Sequence, residues 1–212
     1  MSRTSGITGK TQSKIDIKLQ NRPLGSAVGF VVCVPRVDRG SKHEKIQDCS
    51  IAYHYDHSRN CWAVVQAFYW KVIECIHKNN INNENLGWEK GVYPSDDYIR
   101  SSLAKGELYT LTDGANLYAC VIVNSEHNDG YDGCAWSMVC ASDEVMTPHA
   151  LAVDPDHQGQ GIGKVVVESI IELAKAEHKK AIRLDVLGAC SSAEHLYRKM
   201  RVQFCRGKEY VL

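Results

Sequence analysis

The spacing of apolar residues along the chain predicts helices in four places. Helical spacing from Ser58, a candidate cap, to about 78 and again over 162–176 predicts two long amphipathic helices. A third helix is predicted to open at Pro94, with acidic residues in its first turn, and to stop at Lys105 before a glycine. The capping box at 191–194 predicts a short fourth helix. Its apolar face comprises Ala193, Leu196, Tyr197 and Met200.

Strands are predicted between these helices, from segments of strand length that are apolar or that alternate apolar with polar residues. The turn residues 112–116 predict a hairpin. The predicted order is β-α-α-β-β-β-α-β-α-β from about residue 48 to the C-terminus, and the 44% hydrophobic content suits one such core. The internal strands are predicted at 50–55, 107–111, 117–124, 145–153 and 181–187.

Residues 1–47 differ from the rest of the chain in charge and composition. They carry nine Lys or Arg against three Asp or Glu, whereas the whole chain has a net charge of zero. Their one short apolar run, 27–34, lies too far from the start for a secretory signal. We expect a basic, poorly ordered extension with at most one added strand, dispensable for chemistry, ahead of a domain at 48–212. A basic organelle-targeting leader is the alternative.

The composition argues against several kinds of site and partner. Zero net charge argues against a dedicated nucleic-acid surface. The nine cysteines are an odd number without a Cys-x-x-Cys pair, and the histidines show no zinc spacing, so we expect neither a disulfide scaffold nor a metal site. Small buried cysteines in a reducing cytosol fit better, and we expect a cytoplasmic protein without a membrane partner. The sequence leaves open whether the chain forms a homodimer.

A glycine-rich segment between an apolar strand and a helix is the most informative stretch of the chain. Three glycines, at 159, 161 and 163, stand where a loop passes into the helix. Without side chains there, backbone N–H groups can close around an anion at the positive end of the helix dipole. The spacing matches neither the Walker loop nor the six-residue dinucleotide pattern. The segment therefore predicts a cradle for a diphosphate.

The motif Gln158-x-x-Gly161-x-Gly163, preceded by Leu-Ala-Val-Asp-Pro at 151–155, resembles the acetyl-CoA signature of the GNAT superfamily of N-acetyltransferases. The following helix, strand and helix ending in Leu-Tyr-x-Lys extend the resemblance toward the C-terminus. The resemblance implies an α/β (α+β) fold, with a mixed, mostly antiparallel central sheet and helices on both faces. It also implies acetyl-CoA as co-substrate. The implied cofactor-binding residues are Leu151, Ala152, Val153, Gln158, Gly159, Gln160, Gly161, Ile162, Gly163, Lys164 and Ser191.

Two positions depart from the family pattern. Where the family commonly shows an asparagine that contacts the cofactor, this chain has Cys190, and Ser191 beside it is the expected substitute. The usual Gly-Phe before the last strand is Arg-Val at 201–202. Near the loop, Lys164 is expected either to bind phosphate or to remain a solvated side chain, and His157 is expected to face solvent.

Two side chains are candidates for moving protons during acetyl transfer. A neutral amine attacks the thioester, so the site needs to accept a proton from the ammonium and to protonate or solvate the thiolate. Tyr197 holds the tyrosine position of Leu-Tyr-x-Lys, which the resemblance places near the cofactor sulfur; packing of its ring in the core is the alternative. His149 is the candidate base, since strand alternation is expected to place it on one face with Thr147, Leu151 and Val153. A packed, hydrogen-bonded histidine is the alternative.

The acceptor is the least determined part of the sequence. We expect transfer of acetyl from acetyl-CoA to a primary amine, of a small molecule, by direct attack in a ternary complex. The alternatives are acetylation of a protein N-terminus or lysine, and a non-catalytic acyl-CoA-binding regulatory module. Four aromatic residues fall in segments that the family uses to wall the acceptor pocket, although they also suit a plain core. They are Trp88, Tyr93, Tyr98 and Trp136.

Overall fold

The computed structural model describes residues 12–18, 32–33, 50–53, 61–79, 87–113, 115–127, 131, 134–136, 138–187, 191–200 and 203–205. These residues include eight strands and four α-helices. The strands are β1 (Gln12–Lys18), β2 (Val32–Cys33), β3 (Ser50–Tyr53), β4 (Leu108–Thr112), β5 (Leu117–Asn124), β6 (Val145–Val153), β7 (Ala181–Leu187) and β8 (Gln203–Cys205). The helices are α1 (Cys61–Asn79), α2 (Asp96–Lys105), α3 (Ile162–Ala176) and α4 (Ser191–Lys199).

From β3 onward, the order of helices and strands is the predicted one. The acidic first turn of α2 and its end before Gly106, which has φ of 74°, are confirmed. The helix is also capped by Ser95, whose hydroxyl accepts a hydrogen bond from the backbone N–H of Tyr98 at 3.1 Å. The predicted hairpin is the antiparallel pair β4–β5, whose turn is held by Asp113. The predicted cap Ser58 lies outside the described residues.

The strands form one mixed sheet in the order β2-β3-β4-β5-β6-β7-β1-β8. Neighbouring strands are antiparallel except β6 and β7, which are parallel. The predicted mixed, mostly antiparallel sheet is therefore confirmed. Residues 1–47 contribute β1 and β2, which is one strand more than the sequence predicts. The separation of the chain into an extension and a domain at residue 48 stays a prediction.

The sheet separates two apolar cores, so the helices lie on both faces as predicted. On one face, α1 and α2 pack against β4, β5 and β6, around the fully buried side chains of Tyr69 and Ile122. On the other face, α3 packs against β5 and β6. Beside α3, α4 covers β7, where Tyr197 lies against Leu184 and Val186. The candidate residues are thus divided between two sides of one sheet.

Strand β6 is irregular at its centre. Its ladder with β5 pairs His149 with Ile122 and Ala152 with Cys120, so β6 contains one residue more than β5 between these pairs. This is a β-bulge, which bends a strand and increases its local twist. Ala150, inside the bulge, has φ of 47°, in the left-handed region that L-residues with a Cβ seldom adopt.

The bulge changes which side chains of β6 share a face. Residues directly opposite in an antiparallel ladder lie on the same face, and Ile122, opposite His149, belongs to the core against α1 and α2, as Ala150 does. Leu151 and Val153 pack instead against the core around α3. The prediction that His149 shares a face with Leu151 and Val153 is therefore wrong, because the extra residue shifts the alternation by one.

Candidate active site

The glycine loop joins the end of β6 to the start of α3. Gly159 and Gly161 have φ of 75° and 88°, a conformation that favours glycine. Gly161 is the N-cap of α3 and no side chain caps this helix, so its first N–H groups are available to water or a ligand. A Cβ at position 159 would meet nothing within 4 Å. The loop therefore presents backbone donors and open space at the positive end of a 15-residue helix.

Gly163 also has a packing role that the sequence does not reveal. A Cβ at this position would lie 3.1 Å from Cδ2 of Leu196 in α4 and 3.9 Å from Cγ2 of Val153 in β6. The first distance is shorter than ordinary van der Waals contact, so a larger residue would displace the Leu196 side chain. The absence of a side chain at Gly163 thus lets α4 approach the first turn of α3.

An ion-pair network fixes the turn that precedes the glycine loop. The Asp154 side chain, almost fully buried, accepts from His157 Nδ1 at 2.7 Å, and Lys71 of α1 lies 2.5 Å from it. Lys71 also lies 2.8 Å from Asp156. Burial acts to raise the pKa of Asp154, but hydrogen bonds from Lys71 and His157 outweigh it and leave that pKa below its usual value. His157 is therefore held against Asp154, whereas the sequence predicts a solvent-facing side chain.

The other predicted cofactor residues lie around the same end of the sheet. Lys164 is exposed and its Nζ lies 3.5 Å from Glu168, in the same helix. Ser191 begins α4, and Cys190 lies outside the described residues. Leu151 and Val153 in β6 are half-buried against α3, Ala152 is buried on the other face, Ile162 is buried in the α3 core, and Gln158 and Gln160 lie in the loop.

The edge of β6 that faces β7 is mostly unpaired along the described strands. Val145 pairs with Ala181 and Met146 with Ile182, and the ladder extends no further. The unpaired part of β6 runs from Thr147 past the bulge to the glycine loop. Backbone N–H and C=O groups along such an edge need partners, and a bound chain of amide groups supplies them. This gap is therefore a suitable place for the acyl-bearing arm of a coenzyme.

A tyrosine and a tryptophan cover β7 on the face that His149 also occupies. The Tyr131 hydroxyl donates to Oδ1 of Asp185 at 2.8 Å, and Trp136 Nε1 donates to the Tyr131 carbonyl at 3.0 Å. The Arg183 guanidinium lies 4.5 Å from the centre of the Trp136 ring. Burial raises the pKa of Tyr131, so its hydroxyl remains a donor at physiological pH.

Hydrogen bonds fix the tautomer of His149. Its Nε2 lies 3.0 Å from Oδ1 of Asn124 and 3.0 Å from the carbonyl oxygen of Glu126. The Asn124 amide is oriented independently, because its Nδ2 donates to Glu107 and its Oδ1 accepts from the Glu126 N–H. Both groups facing Nε2 are acceptors, so Nε2 carries the proton. In the neutral ring, Nδ1 is then the nitrogen with the free lone pair.

The surroundings of His149 favour its neutral form. Burial lowers its pKa from the usual value, and the Glu126 carbonyl and the charges of Asp185, Glu126 and Glu107 only partly oppose this. At neutral pH the imidazole is therefore mostly uncharged. A neutral histidine with Nδ1 unprotonated is a proton acceptor.

Tyr197 lies on the opposite face of the sheet from His149. It is 6% exposed and packs against Val167 of α3 and against Leu184 and Val186 of β7. Leu151, on the α3 side of β6, also borders this cluster. Tyr197 and His149 thus approach the unpaired edge of β6 from its two sides. The buried ring of Tyr197 fits the core-packing alternative as well as a catalytic position.

Three of the four predicted acceptor-wall aromatics form one half-buried cluster with the fully buried Tyr69. The ring centres of Trp88 and Tyr93 are 5.9 Å apart, and the stacked rings of Tyr93 and Tyr98 are 6.2 Å apart. Burial, followed by the charge of Asp185, raises the pKa of Tyr93 to about 12, while the Ala150 backbone N–H acts to lower it. Tyr93 is therefore close to the bulge beside His149. The fourth aromatic, Trp136, lies in the separate cover over β7.

Several contributors to the site carry no readable signal in the sequence. His149 is oriented by Asn124, the last residue of β5, and by the carbonyl of Glu126 just beyond it. The sequence of β5 indicates only an apolar strand. Asp154 and Lys71 are 83 positions apart and meet only in the folded chain. Asp154 and Asp156 stand on either side of Pro155, and in the sequence this pattern indicates only a turn.

The described residues contain no group of three or more His, Cys, Asp or Glu side chains placed to hold a metal ion. Among the described helices, none is both long and apolar enough to cross a bilayer.

Comparisons with known proteins agree with this arrangement. The profile of the family described as "Acetyltransferase (GNAT) domain" matches residues 106–200. No curated protein matches the chain in sequence. A GNAT-family acetyltransferase from Streptococcus agalactiae has a similar structure, with a TM-score of 0.62 and 18% identity over 76% of this chain and 88% of that one. The PH1933 protein of Pyrococcus horikoshii has a TM-score of 0.53 and 15% identity, over 77% of this chain and 100% of its own.

The profile match covers the part of the site that lies between β4 and α4, but not the residues that α1 and the aromatic cluster contribute. It runs from β4 to α4 and includes the bulged strand β6, the glycine loop and both proton-transfer candidates. The structural likeness, at such low identity, concerns the fold alone. Profile, fold and glycine motif point the same way, toward acetyl transfer from acetyl-CoA. Residues 106–200 of this chain are thus similar to the GNAT acetyltransferase domain, and the chain shares the fold of its structural neighbours.

Proposed function

We propose that this acetyltransferase transfers acetyl from acetyl-CoA to the primary amine of a small molecule, by direct attack of the amine in a ternary complex. The observation that carries the proposal is the pairing of two features at β6: an uncapped helix N-terminus behind left-handed glycines, and a neutral histidine beside the unpaired strand edge. The first suits a diphosphate and the second suits deprotonation of an amine.

The glycine loop supports binding of the coenzyme diphosphate. Gly159 and Gly161 adopt the left-handed backbone conformation that the loop requires. The N–H groups in the first turn of α3 are then available as donors, since no side chain caps the helix. Leu151, Ala152 and Val153 lie along the unpaired edge of β6, where strand-like backbone bonds to the amide-containing arm are available. When bound, acetyl-CoA supplies an activated acetyl group and a thiol leaving group.

Two side chains would move the protons. His149 Nδ1 accepts a proton from the ammonium of the acceptor, directly or through one water, so that the neutral amine nitrogen can bond to the acetyl carbon. The Tyr197 hydroxyl donates a proton to the sulfur as the carbon–sulfur bond breaks. The nitrogen loses its second proton to water as the amide forms, and water returns one proton to the Tyr197 oxygen, so that the reaction releases one proton in all. Their positions on opposite faces of the sheet suit attack from one side and departure on the other.

The aromatic cluster near the bulge favours a small acceptor. Trp88, Tyr93 and Tyr98 are half-buried and pack against one another rather than lining an open surface. A half-buried aromatic cluster of this kind suits contact with a compact apolar body that carries an amine. The negative charges of Asp185 and Glu107 act to raise the pKa of His149, which means that their field reaches this face of the sheet. The same field attracts a cationic amine.

Release of free thiol from acetyl-CoA in the presence of an amine panel tests the proposal. The panel contains small primary amines, peptides with free N-termini and lysine peptides, and mass spectrometry identifies the acetylated product. Turnover with small amines supports the proposal. Turnover confined to peptides would move the protein to the protein-acetylating class, and coenzyme binding without turnover on any amine would indicate a binding module.

A further inference from the structure

The strained residue in β6 is held by a side chain from the other side of the core. The Tyr69 hydroxyl, on α1, donates to the carbonyl oxygen of Ala150 at 2.9 Å. Tyr69 is 0% exposed, and Ala150 has φ of 47°. The two residues are 81 positions apart, so this contact forms only through the tertiary structure.

The chemistry of Tyr69 makes it a permanent donor. Burial raises the pKa of its phenol well above the usual value, with the neighbouring Cys120 a smaller cause. The hydroxyl is thus protonated throughout the physiological range. The ring is fixed by edge-on contact with Phe68 and by Trp88, whose centres lie 5.9 and 6.1 Å away. Position and protonation state are both set before any ligand binds.

Ala150 needs such a partner because its conformation is disfavoured. In the left-handed region the Cβ of an L-residue crowds the backbone, and only glycine is free of this penalty. A single strained residue persists where the surrounding structure holds it, and such residues concentrate at functional sites. Ala150 follows His149 directly and lies in the bulge where β6 has lost its pairing with β7.

We infer that Tyr69 is a positioning residue for acetyl transfer. Its hydroxyl holds the Ala150 carbonyl, and this hydrogen bond maintains the bulge. The bulge in turn sets the positions of His149 and of the unpaired edge of β6 relative to the reacting atoms. The inference rests on the proposed function, since it assigns a role within that reaction. Tyr69 itself touches neither the acceptor nor the thioester. It acts through the backbone of β6.

Tyr69→Phe removes the hydroxyl and keeps the ring, so the packing of α1 is preserved. We expect kcat to fall about tenfold or more, the size of effect that a small misplacement of reacting groups produces. The Kd for CoA, which the glycine loop dominates, should change much less. Tyr118→Phe is the matched control: Tyr118 is also buried, its hydroxyl donates to Asp113 at 2.6 Å in the β4–β5 turn, and phenylalanine keeps the ring contact with His157. It should lower Tm and leave kcat unchanged.

A second substitution distinguishes positioning from a general loss of structure. Glycine at 150 removes the penalty of the left-handed conformation, so the bulge no longer requires the hydroxyl. Tyr69→Phe/Ala150→Gly should therefore regain most of the kcat that Tyr69→Phe loses, and it tests the idea even if the single variant folds poorly. Wild-type kcat in Tyr69→Phe, or a kcat that Ala150→Gly does not restore, would overturn the inference. A wild-type protein without turnover on any amine would instead refute the proposed function.

Discussion

The two sides of β6 differ in how they are built. On the α3 side, the site is local in sequence: strand, glycine loop and helix follow one another between residues 145 and 176. On the α1 side, the site is assembled from distant segments, with Tyr69 holding Ala150 and with Asn124 and Glu126 orienting His149. The α3 side, where we propose that the coenzyme binds, is thus a local motif and is called the coenzyme side. The α1 side, where we propose that the acceptor binds, is assembled by the fold and is called the acceptor side. Substitutions should accordingly have simple effects on the first side and coupled effects on the second.

An ion-pair network joins these two sides. Lys71 belongs to α1, on the acceptor side, and its partners Asp154 and Asp156 begin the turn into the glycine loop. This link makes the comparison testable, because a variant can be placed on either side or on the connection between them.

The largest effect is expected at Tyr197, on the coenzyme side. Tyr197→Phe keeps the ring in its buried cluster and removes only the hydroxyl. If the hydroxyl protonates the leaving thiolate, kcat should fall about 10²-fold or more, with the Kd for acetyl-CoA little changed. Steady-state kinetics and calorimetry measure the two quantities. A normal kcat with a lower Tm would assign Tyr197 to core packing alone.

His149 should have the next largest effect, and one that depends on pH. Protonated His149 is inactive as a base, so kcat/KM should fall as the pH drops through its pKa. Burial lowers this pKa, so the acidic limb should lie below the usual histidine value of about 6.5. His149→Ala should lose the limb, lose about tenfold or more in kcat/KM at neutral pH, and recover part of it at high pH, where free amine is abundant.

A matched histidine serves as the control for this profile. His178, exposed beyond the end of α3, has φ of 56°, which asparagine tolerates, so His178→Asn should keep the wild-type profile. An acidic limb that persists unchanged in His149→Ala would assign the proton transfer to water or to another group.

A smaller effect is expected in the glycine loop. Gly161→Ala places a Cβ at a left-handed position in the proposed diphosphate cradle and should weaken acetyl-CoA binding about tenfold, judged by calorimetry. Gly91→Ala is matched in backbone geometry, with φ of 74° and nothing within 4 Å of its Cβ. It should cost about 1 kcal/mol of stability and leave the Kd for acetyl-CoA unchanged. Equal Kd values in the two variants would remove the phosphate assignment.

The smallest effect is expected for the connection between the two sides. Asp154→Asn removes a buried charge bonded to Lys71 and His157 and should lower the free energy of unfolding by about 1–2 kcal/mol. Asp156→Asn, at an exposed carboxylate on the same lysine, should cost less than about 1 kcal/mol. Because its folded pKa is depressed, the contribution of Asp154 is present at neutral pH and is lost as the pH falls through that lowered pKa. Denaturant unfolding at neutral and acidic pH measures both variants.

The sequence predicts the helices and strands on the α3 side of β6 well because their signals are local. Glycine spacing, the bounds of β6 and the capping box of α4 all depend on neighbouring residues, and the structure places β6 at 145–153 and α4 from Ser191. The order of elements from β3 onward follows from the same kind of signal. The roles that the sequence assigns to the cofactor-binding and catalytic residues stay predictions.

The acceptor side could not be predicted, because one inserted residue has no sequence signature here. Ala150 adopts the left-handed conformation without being glycine, and the hydroxyl that accompanies it comes from α1. The sequence therefore predicts a regular strand and wrongly places His149 on the face of Leu151 and Val153. The close approach that requires Gly163 and the hydrogen bonds of His157 likewise depend on partners distant in sequence.

Thermal unfolding with acetyl-CoA tests the central claim most directly. A ligand that binds only the folded state stabilises it by about 2.7 kcal/mol at a hundredfold excess over its Kd, which corresponds to a rise in Tm of about 5–10 °C for a chain of this size. We expect such a rise for the wild-type protein with acetyl-CoA or CoA, and a smaller one for Gly161→Ala at the same concentration. A melting curve that saturating acetyl-CoA leaves unchanged would contradict the account.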